Sequence, residues 1–186
     1  MSENIILDSI YFEKQEGQLC AQHALNNLLQ GSYFTAVDLS EIARELDNEE
    51  RTALAEGGME TKDYLKFISE ESSNYDDSGY FSFQVIEKAL KVWDLNINSL
   101  KLADNEMQYE KAFICNFDSH WITVRRFGNH WYILNSISNK PEPVSNTYLS
   151  MYLKQLQFDG YSVFVVSGEF PKCEADQLAL LCLSVA

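Results

Sequence analysis

Cys20 opens a helix-patterned run, Cys20-Ala-Gln-His-Ala-Leu-Asn-Asn-Leu-Leu29, and Gln15 stands five residues before it with Gly17 between them. Ala21, Ala24, Leu25, Leu28 and Leu29 recur at helical spacing, which predicts Cys20 at a helix N-terminus. Unpaired backbone N–H groups and the positive end of the helix dipole there favour thiolate, the nucleophilic form, over thiol. Downstream, His120 begins His120-Trp-Ile-Thr-Val and Asn135 ends Trp131-Tyr-Ile-Leu-Asn135. A thiol, an imidazole and a carboxamide are the parts of acyl transfer through a thioester. The imidazole takes the thiol proton, and the carboxamide fixes its tautomer without adding a full charge. The Gln15 amide, turned back across Gly17, would join the Cys20 backbone N–H as an oxyanion hole, where one donor is worth ~10²–10³ in rate.

Each residue also has an ordinary reading. Most free cysteines are small buried hydrophobes, and an asparagine after a strand is commonly a turn residue. Gln18 competes with Gln15, but lies two residues from Cys20 and is expected to point away. His23 reads as a packing or hydrogen-bonded residue, and His130 as an exposed flank of a turn. Trp121 either shields the imidazole–asparagine contact from water or belongs to the core.

The elements that must position these groups follow from pattern and punctuation. If Gly128-Asn129 is a two-residue hairpin turn, Ile122 faces Asn135 and His120 faces Ile137. His120 and Asn135 are then diagonal neighbours on one face, with Cβ atoms roughly 7–8 Å apart or somewhat less. A loop of odd length would separate them. Gln30-Gly31 ends the Cys20 helix. Thr35 and Asp38 predict a capping box for a short helix bearing Val37, Ile42 and Leu46. The charged stretch Asp47–Glu60, with Gly57-Gly58, reads as a mobile connection. Thr61 caps a second short helix through Tyr64, Leu65 and Ile68, so residues 37–68 form a helical hairpin able to act as a flap. Ser82 caps a helix bearing Phe83, Ile86, Ala89, Leu90 and Trp93. Strands are expected over Leu95–Leu102, within Ala112–Phe127, over Trp131–Asn135 and over Tyr161–Ser167. Lys140–Pro143 is a loop, Ser145 caps a further helix stopped by Gly160, and Glu174–Leu183 is a final helix. Helices first and an antiparallel sheet afterwards define an α+β fold, and the expectation is one domain over residues 1–186.

Apolar residues make up 46% of the 186-residue chain, enough for one ordinary core. The formal net charge of −14 repels phosphate backbones, so nucleic acid is excluded as the main partner, and no lysine cluster suits an anionic membrane. The four cysteines form no Cys-x-x-Cys pair and no histidine stands beside one at ligand spacing, so neither a metal nor another cofactor is expected. The N-terminal run is broken by Asp8 and lacks a basic lead, which is not the pattern of a secretory signal. Reduced thiols in the cytoplasm or nucleus fit that reading.

The stretch Glu13–Gly31 closely resembles the opening of Josephin domains, the cysteine-protease domain of ataxin-three-type deubiquitinases. Ala55-Glu-Gly-Gly58, Asp76-Asp-Ser-Gly79, Gln84-Val-Ile86, Ala89-Leu-Lys-Val-Trp93 and Phe113-Ile-Cys-Asn116 continue the match. His120-Trp121, Leu134-Asn-Ser136, Tyr161–Val166 and Cys173-Glu-Ala-Asp-Gln-Leu178 complete it over about Ile10–Leu178. The resemblance implies a papain-like α+β fold: a helical half with a protruding hairpin packed on a mainly antiparallel sheet. It implies hydrolysis of isopeptide or peptide bonds at the C-terminal glycine of ubiquitin, with ubiquitin conjugates or chains as partners; separately, a monomer is expected. Cys20 maps to the nucleophile, His120 to the general base and acid, Asn135 to its orienting partner, and Gln15 to the oxyanion donor. Ubiquitin-binding positions map to Phe83, Gln84 and Trp93 near the cleft, and to Tyr33 and Phe34 on another face. The chain departs from the pattern in extra residues before Ile10, a shortened segment around Ala103–Glu110, and Phe83 in place of a smaller aliphatic residue. A ubiquitin-binding adaptor with weak catalysis, or a cysteine-dependent acyltransferase, would use the same residues.

Overall fold

The computed structural model describes residues 2–76, 78–101, 107 and 109–185. The helical half comes first: α1 (Ser2–Ser9), α2 (Cys20–Leu29), α3 (Ala36–Glu56), α4 (Lys62–Ser69) and α5 (Phe83–Lys91). Strands β1 (Asn96–Ser99), β2 (Ala112–Phe117), β3 (His120–Phe127), β4 (His130–Leu134) and β5 (Glu142–Val144) follow. Helix α6 (Asn146–Phe158), strand β6 (Ser162–Ser167) and helix α7 (Glu174–Val185) close the chain. The strands make one antiparallel sheet in the order β1-β6-β2-β3-β4-β5, so the expected α+β architecture is the observed one. The segment around Ala103–Glu110, read as a shortening relative to the family pattern, falls largely outside the described residues, as do Asp77 and Leu102.

Helices cover both faces of the sheet, which is why its central strands are apolar almost continuously rather than in alternation. In β2, Ala112 and Ile114 pack under α2, α3 and α5 with Leu25, Leu28, Leu39 and Ile86. Their neighbours Phe113 and Cys115 turn the other way, onto Leu149, Leu153 and Leu156 of α6. A third cluster joins α1 and α7 to Phe127, Tyr132 and Leu134 at the far end of the hairpin. Two buried side chains of β3 clamp α2 onto the sheet: Thr123 Oγ1 donates to the Ala24 carbonyl at 2.7 Å, and Arg125 Nε to that of Leu28 at 3.1 Å. The Arg125 guanidinium, 1% exposed, also meets Asp176 of α7 at 3.1 Å.

Several expectations are corrected. The helix capped by Thr35, with its capping box intact, does not stop near Leu46; it runs 21 residues to Glu56, and Val37 is exposed. The stretch read as a mobile connection is rich in good helix formers, Leu54, Ala53, Ala55, Arg51 and several glutamates, and breaks only at Gly57. The hairpin is nonetheless present, since α4 starts at the Thr61 cap and buries no residue. Lys140–Pro143 is not all loop, because Glu142–Val144 forms β5. Pro143 is tolerated there because β5 pairs only with β4, at the sheet edge. The N-terminal Ser2–Ser9 helix, unread in the sequence, packs Ile6 into the third cluster. His130 is half-buried rather than exposed.

Candidate active site

The hairpin turn has the expected register. Phe127 pairs with His130 and Thr123 with Leu134 across a two-residue Gly128-Asn129 turn, Gly128 having φ +60°. Counting outward brings His120 and Asn135 together, and His120 Nε2 lies 2.9 Å from Asn135 Oδ1. The Asn135 oxygen also accepts the Ile137 backbone N–H at 3.3 Å, which orients the amide with oxygen toward the ring. A carbonyl oxygen can only accept, so Nε2 carries the ring proton and Nδ1 is left as the basic nitrogen.

Cys20 is the first residue of α2, as expected, and Leu19 before it makes no side-chain cap. Its sulfur lies against the start of β3, where the thiol donates to the Ser119 carbonyl at 3.4 Å. Gln15, Gln18, Cys20, Ser78, Tyr80, Ser119 and His120 line one cleft of about 230 Å³. The Cys20 thiol, the His120 imidazole and Gln15 therefore meet at one mouth, and Gln18, expected to point away, joins them. The thiolate expectation is reversed at this cleft. Burial pushes the thiol above its ordinary range, while the backbone N–H groups of Trp121, Ala21 and Cys20 itself pull less strongly downward. A thiol facing a carbonyl oxygen agrees with that direction, because only the protonated form can donate to Ser119.

Gln15 reaches the cleft on a segment zipped along α2 by side chains from the helix. Gln30 brackets Tyr11, donating to its carbonyl at 3.0 Å and accepting its N–H at 2.9 Å; Asn27 does the same for Glu13, at 3.3 and 2.7 Å. The Glu13 carboxylate then gathers Tyr11, His23 Nδ1 at 2.6 Å and Asn26 Nδ2 at 3.1 Å. His23 is thus a buried hydrogen-bonding residue, as read. The signal available for this zipper was the Asn26-Asn27 pair beside the apolar positions Leu25, Leu28 and Leu29 of the helix. Beyond Glu13, Gln15 N donates to Ser136 O at 2.8 Å, and Gln15 Nε2 donates to Gly17 O at 2.9 Å. The Cys20 N–H, expected to be an oxyanion donor, is engaged by Gln18 O at 2.9 Å.

The aromatic positions divide differently from expectation. Tyr33 and Trp93 do not lie on separate faces; their rings meet edge-on with centroids 4.5 Å apart, and Tyr33 is 40% exposed. Phe34 is buried in the α2–α5 core. The cause is Asn26, whose Oδ1 accepts both the Tyr33 and Phe34 N–H groups at 3.1 and 2.9 Å, folding that turn onto the helix with Phe34 inward. Phe83 is half-buried and stacks on Phe164 at 4.6 Å, and Gln84 beside it is exposed. Among the described residues no group of three or more His, Cys, Asp or Glu side chains is placed to hold a metal ion.

Comparison with known proteins gives a consistent pattern. The Josephin family model matches residues 15–167. Ataxin-3 of Homo sapiens is 53% identical over 181 residues, covering 92% of this chain and 49% of that protein. The Ataxin-3 homolog of Caenorhabditis elegans is 42% identical over 187 residues, covering 98% and 56% respectively. That of Arabidopsis thaliana is 40% identical over 172 residues, covering 88% and 60%. The chain spans about half the length of the first of these relatives.

Proposed function

Since this chain belongs to the Josephin family, we propose that it is a thiol-dependent deubiquitinase, cleaving isopeptide or peptide bonds at the C-terminal glycine of ubiquitin. The observation that carries this reading is the convergence of Cys20, His120 and Gln15 on one small cleft, with Asn135 hydrogen-bonded to His120. The reaction starts from the neutral thiol. His120 Nδ1 takes the Cys20 proton as the sulfur attacks the glycine carbonyl, and the resulting oxyanion accepts a hydrogen bond from Gln15 Nε2. One Nε2 hydrogen is held by Gly17 O, so the second is the donor available to it. The Cys20 N–H contributes only if its bond to Gln18 O is shared. Collapse breaks the C–N bond, and the imidazolium gives its proton to the leaving lysine amine. Water, deprotonated by His120, then attacks the thioester and releases the ubiquitin carboxylate, while the sulfur regains its proton. Tyr33, Trp93 and the exposed Gln84 form surface suited to ubiquitin, and the α3–α4 hairpin acts as a flap.

The test is a ubiquitin probe with a C-terminal electrophile, read by mass at Cys20, together with hydrolysis of a fluorogenic ubiquitin amide. Labelling at Cys20 and complete loss of turnover in Cys20→Ala are expected. A Cys20→Ala protein that still cleaves would end the proposal. Modification by a small acyl donor but not by the probe would move the protein to the acyltransferases, and ubiquitin binding without turnover to the adaptors.

A further inference from the structure

Asn135 and Ser136 are adjacent in the turn that follows β4, and their side chains go to different partners. Asn135 turns to His120. Ser136, 1% exposed, turns to Gln15, and its hydroxyl lies 2.8 Å from Gln15 Oε1. Its backbone carbonyl accepts the Gln15 N–H, also at 2.8 Å, so Gln15 is held to Ser136 at both main chain and side chain. The direction of the side-chain bond follows from the other end of the amide. The Gly17 carbonyl, 2.9 Å away, can only accept, so the NH₂ group must face it and Oε1 must face Ser136. Serine is therefore the donor. If the amide turned over, two carbonyl oxygens would oppose each other at Gly17, and the cleft would face an acceptor where an oxyanion needs a donor.

We propose that Ser136 is a positioning residue that holds the Gln15 amide with its NH₂ toward the cleft. The single dipeptide Asn135-Ser136 then aligns both halves of the machinery, the base through one residue and the oxyanion donor through the other. This rests on the assignment of Gln15 as the oxyanion donor. Removal of the hydroxyl leaves Oε1 without its donor and frees the amide to sample orientations that cannot stabilise the oxyanion. The loss of one hydrogen bond corresponds to about tenfold in kcat, with complete loss of the donor, ~10²–10³, as the ceiling. Substrate binding is unaffected, so KM stays within about twofold, the split that marks an interaction made in the transition state.

The experiment is a double-mutant cycle on hydrolysis of the fluorogenic ubiquitin amide, using wild type, Ser136→Ala, Gln15→Ala and the double variant. Alkylation of Cys20 by iodoacetamide is followed in parallel by peptide mass, because displacement at that carbon develops no oxyanion. The expected result is about tenfold lower kcat in Ser136→Ala, no further loss when Gln15 is already alanine, and unchanged alkylation. The same loss in the Gln15→Ala background, or a matching loss of alkylation, would overturn the proposal and leave the oxyanion role of Gln15 standing. Full kcat in Gln15→Ala itself would remove that role and this inference with it. Ser136→Cys, similar in size but a weaker donor, carries the same cycle if the alanine variant does not fold, and its kcat is expected between those of serine and alanine.

Discussion

Replacing Asn135 by alanine removes one side-chain hydrogen bond whose value changes during the reaction. In the proposed mechanism the 2.9 Å bond first joins a neutral imidazole to a neutral amide, an interaction worth about 0.5–1.5 kcal/mol net. Once His120 has taken the Cys20 proton, the donor is an imidazolium and the same bond is worth about 1.5–3 kcal/mol. The difference, about 1–2 kcal/mol, belongs to the transition state alone and corresponds to roughly 5–30-fold in kcat. Alanine also frees the ring to rotate and the neutral tautomer to interchange, so the observed loss should lie at the upper end of that range or beyond. KM should not move, because Asn135 is not among the residues lining the cleft. Steady-state hydrolysis of a fluorogenic ubiquitin amide measures both constants. Asn135→Asp serves as the companion: it restores an acceptor but adds a negative charge, which favours the protonated ring. The acid limb of its kcat/KM profile should therefore move to higher pH. An Asn135→Ala enzyme within twofold of the parent would show that the ring needs no such partner, and would refute the reasoning.

Thr123→Val keeps the shape of a fully buried side chain but deletes its 2.7 Å bond to the Ala24 carbonyl, so it should cost about 1 kcal/mol and lower Tm by roughly 2–4 °C; an unchanged melting curve would refute the clamp. Cys115 is buried completely and its thiol is pushed up to about 12 from an unfolded value near 9.0, so its contribution is complete below pH 9 and declines above it. The decline approaches about 1.4 kcal/mol per pH unit, and Cys115→Ala should flatten it in urea unfolding at alkaline pH. An unaltered slope would count against burial as the cause. Tyr33→Ala removes the exposed half of the Tyr33–Trp93 pair and should raise KM by roughly fivefold with kcat retained, as expected for an anchor worth about 1 kcal/mol that lies outside the chemistry. A fall in kcat alone would show that the pair acts on the site instead.

Local signals carried most of the architecture into the sequence. Four helix caps, Thr35, Thr61, Ser82 and Ser145, each accept the backbone N–H of the third residue onward, as their spacing implied. The hairpin register followed from one Gly-Asn dipeptide, because a two-residue turn leaves no freedom in the pairing beyond it. The failures came where an element's extent depends on what it touches. Nothing in the charged stretch after Leu46 reveals that Asp47 will accept a 2.7 Å bond from Asn74 or that Lys88 of α5 will reach Glu45 and Glu49, yet these contacts hold α3 past Leu46 as far as Glu49. Likewise β5, three residues long with a proline at its centre, exists only because β4 offers a free edge.

At the candidate site, which residues would come together was legible and their electrostatic surroundings were not. A helix N-terminus can be inferred from Cys20 and the apolar spacing after it, and the dipole argument then has a definite sign. The opposing effect comes from residues a hundred positions away: the β3 entry that buries the sulfur and turns the Ser119 carbonyl toward it. Proximity in sequence shows the stabilising N–H groups and hides the desolvating wall. The same asymmetry affects the oxyanion donors, since the Cys20 N–H is spent on Gln18 O only two residues away, whereas the Gln15 amide is set by Ser136, 121 positions on. In the proposed mechanism, a cleft assembled this way leaves the initiating proton transfer to His120 and the oxyanion to the remaining hydrogen of Gln15. On that proposal, catalysis would depend on how β3, β4 and the Gln15 segment converge on α2, more than on the helix that carries Cys20.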